Sequence, residues 1–577
     1  MHTVETVLLV LMLGALSGIA ARYVRAIPLP LIQIALGALL SWPRHGLHIA
    51  FDPELFLLLF IPPLLFADGW RIPKREFFAL WRPILRLALG LVLFTVIGLG
   101  YLIHWLIPEI PLTVAFALAA VVSPTDAVAV SAITRNLGMP VKTMHILEGE
   151  SLLNDASGLV ALKFAVAATL TGLFSWTEAA QEFLWIAIGG LGAGALIGWG
   201  FARLRAVVTR RVGDVAATQM VLLLLLMPFA AYLLAERIGV SGILAAVAAG
   251  ITTNFADLDR GAYVTERMQT AATWTLVESS FNGAIFLLLG LQLPSILGSM
   301  DEYRHHGAWT LLGYVVAIST ALLLLRWVWL MLGVRRSLAR AHRTGRMAEP
   351  PSPLLQLATT LAGIRGAVTL AGALSVPLLM HDGQPFPARE LLVFLATGVI
   401  LFTLAVGSIG LPWVLRHLPA PGEPASAFEE RQARLAACQA AIARLVPDPE
   451  VLARHEDDPA WLAQYQEVSG RLTQDYRKRI DLLDDGSAVT TPEAQAETPE
   501  VRRQRRLRYV MELELRLRCL HAERDTLYAE RHAHRINDES LRSLVQELDL
   551  SETSLRKRLA VAKQAAGLQA SAAGHGH

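Results

Sequence analysis

LEGESLLNDASGLVALKFA, residues 147–165, sets Glu148, Glu150, Asn154, Asp155 and Lys163 into a chain otherwise dominated by apolar runs. Only 17% of the 577 residues are charged, where a soluble domain keeps about a quarter. The deficit is uneven. Apolar blocks succeed one another up to residue 416, and beyond it Arg, Glu, Asp, Gln and Ala dominate. About twenty apolar residues cross a bilayer, fewer where a helix is short or broken. The pattern predicts an all-α polytopic membrane domain over 1–416, followed by a helical tail over 417–577. The quoted stretch is then a membrane helix carrying groups that are costly there.

Working outward, thirteen spans are expected: 4–22, 27–41, 53–69, 83–106, 112–134, 146–173, 182–202, 215–235, 239–256, 272–299, 307–334, 354–379 and 390–416. The first lacks a basic leader and is followed by many more, so it reads as a membrane helix and not a cleaved signal. Cytoplasmic loops carry an excess of Lys and Arg. With the N-terminus outside, inside loops hold 19 of these residues and outside loops hold 4. A miscounted span would scramble that alternation. The tail is therefore expected in the cytoplasm of a multi-pass inner-membrane protein. Its two cysteines, Cys438 and Cys519, make no disulfide framework and suit a reducing compartment. Leu and Ala recur through the tail at helical spacing, which predicts amphipathic helices packed on each other or on a partner. A net charge of +2 gives no sign of a polyanionic partner, and no nucleic acid is expected. The terminal SAAGHGH reads as a frayed end and not as a metal site.

Ionisable groups at membrane depth mark pathways and sites. In VVSPTDAVAV, residues 121–130, Pro124 removes a backbone donor and opens the helix. Freed carbonyls, the Ser123 and Thr125 hydroxyls and the Asp126 carboxylate then cluster at one depth, a usual way to build an ion site. In residues 147–165, Ser151 and Asp155 share one helix face, while Glu150 and Asn154 share the neighbouring one. The first face offers oxygen ligands to a hard cation, and the second is suited to a structural partner. Glu148 is expected at the interface facing water, and Lys163 to snorkel to the outer half. In LAGIRGAVTLAGAL, residues 361–374, Arg365 lies deep among glycines and needs a carboxylate, for which Glu150 is the natural candidate. Asp68 either lines an entrance or marks the interface. Arg326, mid-span in LLLLRWVWL, is expected to find Glu278. No Walker loop, CxxC, HExxH or GxSxG is present, and Ser151 has no histidine nearby in its span. No enzymatic activity and no cofactor are expected.

VVSPTDAVAV, then EGESLLNDASG, then GIRGAV together resemble the monovalent cation:proton antiporter family of the sodium/proton exchanger type, most of all its bacterial branch with a cytoplasmic tail. The resemblance spans residues 1–416. It implies inverted repeats, broken helices at the ion site, and a homodimer. It implies Na⁺ binding at Asp126 and Asp155, with Ser151 and the Thr125 region supplying further oxygens. Asn154 is implied as half of an Asn-Asp pair held with Glu150 and Arg365, as in members that exchange one cation for one proton without net charge movement. Arg326 is implied in structure or pH response, and Asp68 stands where many relatives have glutamate. The expected function is Na⁺/H⁺ exchange, with K⁺ or Li⁺ as further cargo, in intracellular pH and sodium homeostasis. A K⁺/H⁺ antiporter is the main rival. A channel would show an Arg-rich span or a filter loop, neither of which is present, and a sensor would tolerate loss of Asp155.

Overall fold

The computed structural model describes residues 12–19, 27–41, 53–134, 137–172, 176–212, 217–257, 264–298, 307–343, 352–380, 383–418, 425–446, 459–483, 499–533, 535 and 538–566. The first span and the tail's connecting segments fall partly outside these residues, and SAAGHGH falls wholly outside them. The described chain is helical, with a single isolated bridge between Leu379 and Pro385 and no strand. It divides into two compact units, residues 1–421 and 422–577.

In the first unit, besides a helical stretch at 12–19 and the short helix Lys74–Ala79, the helices include α1 (Leu29–Ser41), α2 (Pro53–Arg71), α3 (Trp81–Leu106), α4 (Leu112–Val121), α5 (Ala127–Thr134), α6 (Val141–Thr171) and α7 (Trp176–Val212). They continue as α8 (Ala217–Arg237), α9 (Gly242–Asp257), α10 (Val264–Gly298), α11 (Ala308–Arg343), α12 (Pro353–Leu361), α13 (Ala367–Leu374) and α14 (Arg389–Arg416). Seven described helices are long and apolar enough to cross a membrane, and Leu29–Ser41, Leu112–Val121 and Gly242–Thr253 are shorter apolar ones. Two of the expected spans are each in two pieces. The fifth is α4 and α5, parted at 122–126, and the twelfth is α12 and α13, parted at 362–366.

α4 lies at the centre. From Val114 to Val121 it buries seven of eight side chains, four of them alanines, so it is apolar all round and enclosed by other helices. Small residues let backbones approach where lipid gives no hydrophobic drive to associate. At Gly194 in α7 an added Cβ would lie 2.0 Å from the Ala245 carbonyl oxygen of α9, so only glycine allows that approach. α3 contains a π-helical stretch, Arg86–Leu91, and the Ala88 carbonyl there accepts a 2.7 Å hydrogen bond from Ser157 Oγ of α6. A π-bulge re-aims backbone groups at a functional site, and this one fastens α3 to the helix that carries Asp155.

The second unit contains α15 (Ala425–Arg444), α16 (Pro459–Leu483), α17 (Pro499–His532) and α18 (Asp538–Ala565). α17 and α18 pair around Tyr509, Val510, Leu513 and Ala562. Glu552 of α18 receives Arg524 and His521 from α17 and Arg556 from its own helix.

Candidate ion site at the meeting of two interrupted helices

Pro124 ends α4 and leaves carbonyls without helical donors, and the guanidinium of Arg365 takes them. Its Nη1 donates to the Pro124 carbonyl at 2.7 Å and to that of Ser123. Across the same gap Asp126 caps α5. Its Oδ1 accepts from the backbone N–H of Val128 at 2.8 Å and Ala129 at 3.0 Å, satisfying donors that a helix start leaves open. The Asp126 N–H reaches the Ile364 carbonyl at 2.8 Å, which joins the two interruptions directly. Positive charge thus meets the carbonyl end of one half-helix, and negative charge the amide end of another. At Gly366 an added Cβ would lie 1.9 Å from Asp126 Oδ2, so the bare backbone is a condition of this fit.

The Glu150–Arg365 pairing expected from sequence does not form. Glu150 is held by Arg326, whose Nη2 donates to Oε2 at 2.9 Å and whose Nη1 reaches Oε1. Arg326 Nε also donates to the Thr359 carbonyl at 3.0 Å. The physical reason is that the broken ends of α4 already supply Arg365 with acceptors, so Glu150 is left for the other buried cation. Nor does Arg326 meet Glu278, which pairs with Arg71 at the end of α2. Asn154 is likewise placed differently. Its Nδ2 donates to Thr125 Oγ1 at 2.8 Å, and that hydroxyl donates on to Glu150 Oε1 at 3.3 Å. A hydroxyl has one hydrogen and two lone pairs, so Thr125 Oγ1 keeps one lone pair for another partner. Ser123 lies buried beside the gap, and its Oγ has no hydrogen-bond partner.

Asp155 remains open. Among the described residues no hydrogen bond reaches its carboxylate, which lines a small cavity of about 50 Å³ with Asp126, Asp68, Thr125, Ser151 and Asn282. Ser151 Oγ accepts from the Ala127 N–H at 3.2 Å and keeps its proton and one lone pair. A second cavity, of about 200 Å³, shares Asp68 and Ser151 with the first and adds Arg71, Ser131, Glu148 and Glu278. Asp68 lines both cavities, and Glu148, expected at the interface facing water, lines the second. Lys163 is exposed, 3.8 Å from Glu236.

Thr403, whose hydroxyl accepts from the Arg365 backbone N–H at 3.2 Å, was not foreseen. It sits in an apolar helix with nothing local to mark it. Asn282 and Thr369, which line the small cavity, were missed for the same reason. Glu148 did carry a signal: it lies three residues before Ser151 and seven before Asp155, on one helix face.

Residues 7–417 match the family described as sodium/hydrogen exchanger, transmembrane. The chain belongs to that family. Within it, an uncharacterized Na⁺/H⁺ exchanger of Escherichia coli K12 is 46% identical over 560 residues, covering 95% of this chain and 98% of that protein. A sodium, potassium, lithium and rubidium/H⁺ antiporter of Bacillus pumilus is 47% identical over 410 residues, 70% of this chain and 60% of its own length. The solved sodium proton antiporter of Methanocaldococcus jannaschii matches the fold with a TM-score of 0.55 at 19% identity, over 72% of this chain and 99% of that one. This exchanger is thus a multi-pass membrane protein of a transporter family, and its fold is that of a sodium/proton antiporter.

Proposed function

We propose that the chain carries out electroneutral exchange of Na⁺ for H⁺, with the cation and the proton competing for the carboxylates of Asp155 and Asp126. One observation carries this reading: both carboxylates line a single small cavity with Thr125 and Ser151, and among the described residues no hydrogen bond reaches the Asp155 carboxylate. A desolvated monovalent cation needs several oxygen ligands at once. The Asp155 and Asp126 carboxylates, the Ser151 hydroxyl and the free lone pair of Thr125 form such a set. Protonation of Asp155 removes the negative charge that would hold the ion. Occupancy by one excludes the other, and alternating exposure of the cavity yields exchange.

Ser123, Pro124 and Arg365 hold the gap open, and Glu150 with Arg326 holds Thr125 and Asn154. Asn154 brings no charge beside Asp155, which favours one cation for one proton. Asp68 serves the approach, with Glu278 and Arg71 at its outer end. The cargo range is Na⁺ with K⁺ and Li⁺, in keeping with the cations for which the Bacillus relative is named. The protein acts as a homodimer in the cell membrane, with its N-terminus outside and its tail in the cytoplasm, in pH and sodium homeostasis.

The test is purified protein in liposomes with a trapped pH dye, challenged in turn with Na⁺, K⁺ and Li⁺. Cation-dependent pH change that is unaltered by clamping the membrane potential is expected. Passive current without proton movement would overturn the reading.

A further inference from the structure

Away from the candidate ion site, α3 and α11 flank an open cleft of about 550 Å³ lined by Arg82, Arg86, Arg336 and Arg340, with Trp81 and Trp329. Among the described residues lining it there is no carboxylate. The four guanidinium groups are close enough for Arg86 to feel each of the others. A cleft whose lining carries cations and no carboxylate attracts an anion. Its guanidinium groups are also oriented. Arg86 Nε donates to the Arg82 carbonyl at 3.1 Å, and Arg82 stands over the Trp81 ring at 5.5 Å from its centroid. Trp329 is seated by shape: an added Cβ at Gly90 would lie 2.5 Å from its ring, and Phe94 packs against it at 5.3 Å between centroids.

We propose that this cleft binds the phosphate headgroup of an acidic phospholipid. Both walls are ends of membrane spans, Trp81–Leu106 and Ala308–Arg340, so the cleft opens at the depth of headgroups. Tryptophan is at home in that interfacial layer. Planar guanidinium groups chelate phosphate oxygens, and basic pockets between membrane helices on the cytoplasmic side take acidic headgroups. The arginines lie in the segments that the charge asymmetry assigns to the cytoplasm. From them, apolar stripes run into the span at helical spacing. Leu89 and Leu93 follow Arg86, and Leu332, Val328 and Leu324 precede Arg336, all between 36% and 58% exposed. A free phosphate would leave those stripes unused, whereas acyl chains cover them.

The cleft also bears on exchange. One wall is tied to α6 through the Ser157–Ala88 hydrogen bond, and the other through Arg326, three residues before Trp329. A headgroup spanning both walls fixes the spacing of the helices that flank Asp155. This second consequence rests on the exchange reading; binding itself does not.

The experiment is native mass spectrometry of the detergent-purified full chain, offered equal amounts of an acidic and a neutral phospholipid. Preferential retention of the acidic lipid is expected. R82Q/R336Q removes two charges, each worth about a factor of five, so retention falls about 25-fold. R203Q/R210Q, which removes two arginines outside the cleft, keeps wild-type retention. The wild-type comparison needs no variant, and equal retention of the two lipids overturns the proposal alone. Loss of equal size in both double variants overturns it, as does displacement of the lipid by millimolar inorganic phosphate. In liposomes, acidic lipid should quicken exchange by the wild type and leave R82Q/R336Q unchanged. Retention without that acceleration refutes only the coupling.

Discussion

Arg326 and Glu150 engage each other through both guanidinium ends and both carboxylate oxygens, and each side chain is 1% exposed. Burying two charges is tolerated when every donor and acceptor is matched, and removing one partner strands the other. Glu150→Ala and Arg326→Ala should each cost about 3–5 kcal/mol. The double variant should cost far less than the sum, because the two losses are one loss. Thermal or denaturant unfolding in detergent gives the cycle. Additive losses would show that the pair does not act as a unit.

Asp155→Asn keeps the shape of the cavity and removes its open carboxylate. Cation-driven proton movement in liposomes is expected to vanish, while the protein inserts and remains monodisperse. Wild-type exchange from this variant would sink the assignment of the site.

Gly366→Ala tests the fit between the two interruptions. The new methyl meets Asp126 Oδ2 at 1.9 Å, and Asp126 is anchored by two backbone amides and cannot simply swing aside. A displacement of about 1 Å at a reacting group costs on the order of a hundredfold in rate, and exchange should fall by that order. Initial rates at saturating and limiting Na⁺ measure it, and an unchanged rate would contradict the geometry.

In the tail, Arg524, with Arg556 and His521, holds the Glu552 carboxyl down at about pKa 2. A carboxylate whose folded pKa is depressed stabilises above its unfolded value of about 4.3, and that stability is lost as pH falls through the folded value. Pairing of α17 with α18 should therefore hold at neutral pH and weaken between about pH 4 and pH 2. Glu552→Gln should already show that weakening at pH 7. Hydrogen exchange of the full chain across residues 509–524 and 549–562 reads both effects. Protection that is identical in the variant would exclude a role for Glu552.

Much of the site was legible because prolines and charges at membrane depth are rare enough to stand out. Pro124 marked one interruption, and Arg365 stood out as a buried charge among glycines without announcing the other. The pairing of the buried charges was not legible. Matching by type and depth joined Arg365 to Glu150, but it took no account of backbone carbonyls, which are acceptors in every sequence and become visible only where a helix breaks. Arg326 reaches Glu150 because Gly363 leaves it room: a Cβ there would sit 2.8 Å from Arg326 Cδ. That is a tertiary fact with no local signature. The α4–α5 break fell where the proline predicted it, whereas the division of the twelfth span into α12 and α13 had no proline to announce it.

The charges of Asp126 and Arg365 are answered chiefly by peptide groups, and this bears on how fast the site can work. Side-chain partners and water must turn when a neighbouring charge appears or disappears, and each turn adds to the barrier. Amides and carbonyls fixed at the ends of half-helices are already aimed and cost no reorganisation at that moment. On the proposed exchange reading, Asp126 and Arg365 beside Asp155 meet the cation half of the cycle and the proton half with the same dipoles in the same places. On that reading, turnover is expected to be paced by the opening and closing of the path to the site.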